Sequence, residues 1–343
     1  MTELLNTLYV QTQGSYLRLE HDTLKLDIEG KTAAQIPLHH LGGLVVFGNV
    51  LLSPFLLHRC AEDGRSVVWL SQNGRFKARL SAPTSGNVLL RRAQHATLDC
   101  PERTLQLARR MVAGKLQNAR TVLLRAAREA SSPESEGTLR GAAALHAQAI
   151  LGLPRLRYLD EVRGAEGDAA GAYFAAFNAM IRTQKADFTF TGRSRRPPRD
   201  RVNALLSFLY GMLRNECASA LEGVGLDPQV GFLHALRPGR PTLALDLMEE
   251  LRAPLADRFA LTLINLGQIK PQDFTSRPGG AVELNETGRK TVITAYQKRK
   301  QETLTHPLLK KPVPVGLIPH VQARLLARHL RGDLLEYPPF FYR

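Results

Sequence analysis

Ala82-Pro83-Thr84-Ser85-Gly86 separates two kinds of sequence, and the contrast across it decides the fold. Proline fixes φ and lacks a donor, and glycine and serine favour turns, so neither a helix nor a central strand runs through it. We read it as a linker, spanning residues 82–95 of the 343-residue chain. On its N-terminal side the period is two. Tyr16-Leu17-Arg18-Leu19-Glu20 and Thr23-Leu24-Lys25-Leu26-Asp27-Ile28 alternate apolar and polar residues about His21-Asp22, which predicts a tight hairpin. Val67–Leu70 and Phe76–Leu80 flank Asn73-Gly74, a second hairpin signal. Ser53-Pro54 predicts a helix start, with Leu56, Leu57, Cys60 and Ala61 on its apolar face. On the C-terminal side the period is helical. Arg103–Arg128 is long and amphipathic, and further helices are expected over 138–151, 155–181, 201–222, 246–265 and 286–304. Val202, Leu205, Leu206, Leu209 and Leu213 show the spacing plainly. The fold class is therefore α+β in two domains: a small N-terminal β-sheet domain with one helix (1–81), then a larger all-α C-terminal domain (96–343).

Charge is distributed as unevenly as periodicity. Lys and Arg number 46 against 31 Asp and Glu, a net of +15 with a pI near 10.1. Residues 1–86 hold 8 basic and 7 acidic residues, leaving 38 against 24, or +14, beyond them. Such a balance fits a polyanionic partner, nucleic acid above all, bound by the helical part. Thr191–Arg201, with five arginines, two prolines and a glycine, is expected to be a mobile arm that places Arg193, Arg195, Arg196 and Arg199 on the DNA backbone. The nearly neutral β domain is expected to dimerise instead, since Leu44–Phe47 and Val67–Leu70 carry more apolar residues than a one-sided sheet needs. No stretch approaches the ~20 apolar residues of a membrane span, no secretory leader is evident, and three scattered cysteines suggest no disulfide framework. A reducing cytoplasm is the default location.

Phosphate-binding GxxxxGK[ST], nucleophile GxSxG, zinc HExxH and dinucleotide GxGxxG patterns are absent, which argues against a nucleotide-driven motor, a serine hydrolase and a Rossmann dehydrogenase. Three stretches stand out instead. In Gly164–Phe174, Glu166 lies among small residues, with Ala170 and Tyr173 on its helical face. In Gly231-Phe232-Leu233-His234, the histidine precedes Arg237 and Arg240, an arrangement suited to a phosphate. In Leu243–Arg252, Asp246 and Glu249 stand one turn apart, as do Asp246 and Glu250, a repulsion best tolerated around a cation. Carboxylates and an imidazole suit Mg²⁺ or Mn²⁺, and an acidic metal site within a basic domain suits phosphodiester chemistry.

These stretches resemble the CRISPR-associated endonuclease/integrase family, the catalytic subunit of the CRISPR adaptation complex. The carriers are Glu166-Gly167-Asp168-Ala169-Ala170-Gly171-Ala172-Tyr173-Phe174, Asp200–Tyr210 in the pattern DxxNALLSFxY, Gly231–His234, and Asp246–Arg252, where Leu251 replaces the usual phenylalanine and Ala253 precedes Pro254. Leu326–Asp333 and Tyr337–Phe340 are similar to the subtype I-C branch. The resemblance spans the chain. It implies Glu166, His234 and Glu249 as metal ligands, with Asp246 as a fourth catalytic residue. It implies integration of spacers by 3′-hydroxyl attack on a repeat-boundary phosphodiester, cleavage of branched DNA, a homodimer, and a small ferredoxin-like second adaptation protein completing a heterohexamer. The alternative is a non-catalytic DNA-binding scaffold.

Overall fold

The computed structural model of the chain describes residues 5–80 and 88–342; the stretch Ala82–Gly86 lies outside them. Two compact units emerge, one of Met1–Gly86 with Asn285–Thr303 and Pro314–Gly316, the other of Asn87–Leu284, Leu304–Val313 and Leu317–Arg343.

The first unit is built from β1 (Asn6–Val10), β2 (Tyr16–Glu20), β3 (Thr23–Ile28), β4 (Lys31–Pro37), β5 (Leu41–Phe47), β6 (Leu51–Leu52), α1 (Pro54–Glu62), β7 (Ser66–Leu70) and β8 (Phe76–Arg79). They form two four-stranded sheets of order β1-β5-β7-β8 and β4-β3-β2-β6. Both expected hairpins are present, β2 with β3 and β7 with β8. Ser53 caps α1 by accepting from the Leu56 N–H at 3.2 Å. Leu17, Leu24, Leu44, Val46, Leu56 and Val67 fill one core. That core explains the two apolar runs. β5 and β7 are the interior strands of their sheet, and Leu44, Val46, Phe47, Val67, Val68 and Leu70 are all buried. Most side chains of these runs pack into the unit's own interior, while Val45 and Trp69 stay half-buried.

A second helix joins this unit from far along the chain, contrary to the single helix expected. It spans Glu286–Gln301, and its Gln297 and Gln301 side chains reach Thr7 O and Asn6 Oδ1 of β1. Its lysines and arginines change the charge contrast. The first unit carries 13 basic and 9 acidic residues, +4, against 33 and 22, +11, for the second.

The second unit contains α2 (Val88–Leu98), α3 (Pro101–Arg128), α4 (Pro133–Gly152), α5 (Leu159–Ala175), α6 (Arg201–Gly223), α7 (Thr242–Leu251) and α8 (Arg258–Asn265); α9 is Glu286–Gln301 of the first unit, and α10 (Ile318–Leu330) returns to the second. The expected linker thus ends early, because Val88 already begins a helix. A short ribbon, Phe274–Ser276 paired with Val282–Leu284, interrupts the expected all-helical pattern. On α6, Val202, Leu205, Leu206, Leu209 and Leu213 all face the core. Among the described residues no helix is long and apolar enough to cross a membrane.

The stretch 246–265, expected as one helix, is divided by chemistry at Pro254. Proline has no N–H for the carbonyl four residues earlier. That carbonyl, Glu250 O, instead accepts from Asn118 Nδ2 at 2.6 Å, and the helix widens into a π turn over Arg252–Asp257 before α8.

Candidate active site

Two glycines make the site possible. A Cβ on Gly114, in the middle of α3, would fall 3.0 Å from Glu250 Cβ and 2.8 Å from Pro339 Cβ. Glycine therefore lets α3 lie close against α7, and the next side chain, Lys115, arrives beside Glu249. A Cβ on Gly231 would fall 2.6 Å from Asp246 Oδ2 and 2.7 Å from Thr242 C. Only glycine lets the loop 231–234 fold onto the start of α7.

Asp246 then gathers that loop. Its Oδ2 accepts from the Phe232 and Leu233 N–H groups at 2.6 and 2.9 Å, and its Oδ1 from the His234 N–H at 3.0 Å. His234 Nδ1 lies 2.6 Å from the same Oδ1. With the carboxylate as acceptor, Nδ1 carries the proton and the lone pair is on Nε2. Arg163, one turn before Glu166 on α5, fixes the loop from the other side by donating from Nε to Leu233 O at 2.6 Å. The expected cation between Asp246 and its acidic neighbours is not how this helix manages its charge. Asp246 is fully buried and its charge is met by three N–H groups and an imidazole.

Glu249, one turn on, is 2% exposed and stands at the centre of a charge cluster. Oε1 lies 2.8 Å from Arg252 Nη2 and 3.6 Å from His234 Nε2; Oε2 lies 2.6 Å from Lys115 Nζ. No donor is aligned with Oε2 as in a hydrogen bond. Burial alone would raise this carboxyl's pKa, but Arg252, Lys115 and His234 more than offset it and hold the group well below the carboxylate range. Lys115 Nζ also hydrogen-bonds Glu166 Oε1 of α5. Glu166, 26% exposed, and His234, 22% exposed, form the open side of the cluster. Ala170 and Tyr173, the expected face-mates of Glu166, line a cavity of about 30 Å³ together with Lys115 and Glu249.

All four residues anticipated for chemistry, Glu166, His234, Asp246 and Glu249, therefore belong to one cluster. Among the described residues no three His, Cys, Asp or Glu side chains stand close enough around one point to hold a metal as placed; the Lys115 ammonium sits between Glu166 and Glu249.

Glu250 points the other way. Its carboxylate accepts from Tyr337 Oη, from Gln322 Nε2 at 3.0 Å and from the Phe340 N–H at 2.8 Å. Burial pushes it up to about 7 despite those three donors. It fastens the C-terminal segment and takes no part in the cluster.

The arginine-rich loop divides as well. Arg193, expected on a mobile arm, turns inward. It donates to Asn203 Oδ1 and Ser194 O, both at 2.6 Å, and stacks over Tyr210, its centre 5.2 Å from the ring. Asn203 also binds Ser194 N and Gly192 O, and Asp200 caps α6 by accepting from Asn203 N at 2.7 Å. The loop is thus a built structure, and the residues of the Asp200–Tyr210 pattern build it. Arg195, Arg196 and Arg199 remain exposed, as does Arg237; Arg240 is half-buried. Burial and the charges of Arg237, Arg195 and Arg196 depress the Arg240 pKa, so loop and turn share one field. Among the described residues, none of Arg195, Arg196, Arg237 and Arg240 is paired with a carboxylate.

Sequence reasoning missed Lys115, Arg252 and Tyr210 as members of the site. Arg252 stacks on the Tyr210 ring opposite Glu249, 5.1 Å from its centre, and Tyr210 Oη donates to Asp257 Oδ1 at 2.6 Å. One signal was available. A glycine inside a long helix costs about 1 kcal/mol relative to alanine, so Gly114 marked a close approach and Lys115 as its neighbour.

Comparison with known proteins identifies the family. The family model for CRISPR associated protein Cas1 matches residues 8–298. The chain is 55% identical over 340 residues to the CRISPR-associated endonuclease Cas1 1 of Moorella thermoacetica, covering 99% of each. It is 49% identical to Cas1 2 of Rhodospirillum rubrum over the full length of both. Its fold matches a casposase bound to integration product (TM-score 0.83, 21% identity, 99% of this chain and 95% of that one). It also matches a chain of a Cas6-RT-Cas1--Cas2 complex (TM-score 0.82, 21% identity, 98% and 36%). The family model and the full-length similarity together place this chain in the CRISPR-associated Cas1 family, a family of endonucleases.

Proposed function

We propose that this chain is the metal-dependent integrase of CRISPR spacer acquisition, of the subtype I-C kind, and that Glu166, His234 and Glu249 hold its divalent metal, Mg²⁺ or Mn²⁺. The observation that carries the reading is that two carboxylates from different helices, Glu166 and Glu249, share one side-chain cation, with His234 Nε2 3.6 Å from Glu249 Oε1. The donor set fits a divalent cation, and Glu249 Oε2 faces the Lys115 ammonium 2.6 Å away, where a metal ion could take its place. A metal bound there would offset phosphate charge and activate the attacking hydroxyl.

The chain's own residues supply the rest. Asp246 acts through His234: it fixes the ring and the loop and makes no contact with substrate. Arg195, Arg196, Arg199, Arg237 and Arg240 provide positive charge to the DNA backbone. Gly164, Gly167 and Gly171 have nothing within 4 Å of a Cβ position and form an open stripe of α5 turned away from Glu166. In the reaction a 3′-oxygen forms a new bond to phosphorus as the repeat-boundary P–O bond breaks, conserving the number of phosphodiesters. With water as nucleophile, the same site cleaves branched DNA.

Partners follow from the same reading: a homodimer, and a small ferredoxin-like second adaptation protein, for which the Cas1–Cas2 assembly of the fold-mate gives support. Tyr16, Leu51, Phe55 and Phe76 are the exposed apolar side chains that the β unit offers a second copy.

The test is a strand-transfer assay on the full chain with branched DNA, in Mn²⁺ or in chelator. Product that requires Mn²⁺ and disappears in Glu166→Ala and His234→Ala supports the reading. DNA binding without any product in Mn²⁺ would leave the scaffold alternative.

A further inference from the structure

Lys115 belongs to the cluster but has no place in the reaction above. Its helix is fixed: Ala108, Met111, Val112, Leu116 and Asn118 of α3 are all buried, so only the four-carbon stem can move. Its ammonium is paired with Glu166 and stands 2.6 Å from Glu249 Oε2. It therefore sits between the two carboxylates that the metal reading assigns as ligands. Those carboxylates come from different helices, α5 and α7, and like charges brought together in a buried site repel strongly. A single positive charge between them relieves that repulsion and gives both groups a fixed orientation.

We propose that Lys115 is the resident counter-cation of the metal site, holding Glu166 and Glu249 in place until a divalent ion displaces its ammonium. The proposal rests on the reading of Glu166, His234 and Glu249 as metal ligands. It has a consequence opposite in sign to that of an ordinary supporting residue. A residue that only orients ligands raises metal affinity, so its loss weakens binding. A competing cation lowers affinity twice over, because the carboxylates must be freed from it and because it remains as a like charge nearby. Its loss tightens binding. Once displaced, the ammonium is held by its short stem beside the site, positioned to meet phosphate charge that a single divalent ion does not cover.

The experiment measures Mn²⁺ binding to the full-length, metal-free protein at pH 8 by electron paramagnetic resonance of the free ion, for wild type, Lys115→Met, Lys115→Arg and Glu249→Gln. Thermal unfolding with and without Mn²⁺ accompanies it. We expect Lys115→Met to bind Mn²⁺ at least tenfold more tightly than wild type and Lys115→Arg to stay near wild type. Lys115→Met should also melt lower without metal and gain more from Mn²⁺ than wild type does. Weaker or unchanged binding in Lys115→Met, with wild-type binding intact and lost in Glu249→Gln, overturns the counter-cation role and leaves the metal site standing. Absence of Mn²⁺ binding by wild type overturns both. Should Lys115→Met fail to fold, Lys115→Gln answers the same question on the same scale.

Discussion

Glu249 and Glu250 are adjacent in sequence, on one helix, and almost completely buried, yet they belong to different chemistry. Glu249 is flanked by two cations, Arg252 and Lys115, with the His234 imidazole 3.6 Å away. Glu250 is surrounded by neutral donors: Tyr337, Gln322 and the Phe340 N–H. The first is driven far down in pKa and stays charged; the second is pushed up to about 7. A buried carboxylate among cations, opening towards solvent through Glu166 and His234, is equipped to exchange one cation for another. A buried carboxyl among neutral donors is equipped to hold a chain segment. Burial and residue type are shared, so the partners alone separate the functional acid from the structural one.

The comparison breaks most sharply under substitution. Glu249→Gln removes charge from the metal side and leaves Arg252 and Lys115 short of a buried counter-charge; at a temperature where the variant is fully folded, strand transfer should still fall by at least ~10²-fold. Glu250→Ala should do the reverse. It leaves the Tyr337 hydroxyl, the Gln322 amide and the Phe340 N–H without their acceptor, a loss of about 3 kcal/mol or more by denaturant unfolding. Near-normal stability in Glu250→Ala would show that the C-terminal segment does not depend on this carboxyl.

A smaller effect concerns pH. The Glu250 pKa is raised in the folded state, from 4.5 to about 7, so its stabilisation is complete below about pH 4.5 and is lost as pH rises through 7. Asp257, raised from 3.8 to about 6, acts in the same direction. Glu249 acts in the opposite direction, its contribution being lost only as the solution becomes strongly acidic. Between pH 5 and 8 the two raised groups lower the melting temperature of the metal-free protein by roughly 5 °C, offset in part below about pH 6.5 by His146, His306 and His320, whose pKa burial lowers. Glu250→Gln should remove the larger part of that slope. A melting temperature that rises over this range in wild type would contradict the assignment.

The smallest effect concerns the open glycine stripe of α5, on the side turned away from Glu166. Gly171→Ala meets no neighbour and should stabilise α5 by about 0.5–1 kcal/mol, read as a small upward shift in melting temperature. A destabilised variant would mean that the face is packed.

Much of this was legible in the sequence because the signals were local. Period-two runs, Asn73-Gly74 and Ser53-Pro54 marked the strands and first helix, and the period on α6 named its buried face. Glu166, His234, Asp246 and Glu249 stood out by residue type and spacing, while their assignment to one site came from the family resemblance. The roles within the cluster were not, because they depend on which backbone groups come near. Nothing local distinguishes Asp246, saturated by a loop twelve to fourteen residues away, from Glu249. Arg193 looked like its neighbours until Asn203 and Tyr210 drew it inward. The Glu286–Gln301 helix joins the β unit through contacts almost 300 residues distant, beyond any window of periodicity.

The central claim is that Glu249, and not Glu250, belongs to the chemistry. Its most direct test is cleavage of branched DNA in saturating Mn²⁺ by wild type, Glu249→Gln and Glu250→Gln, at a temperature where all three are folded by circular dichroism. The account predicts activity within a few fold of wild type for Glu250→Gln and none above the chelator control for Glu249→Gln. Comparable loss in both, or retained activity in Glu249→Gln, would contradict it.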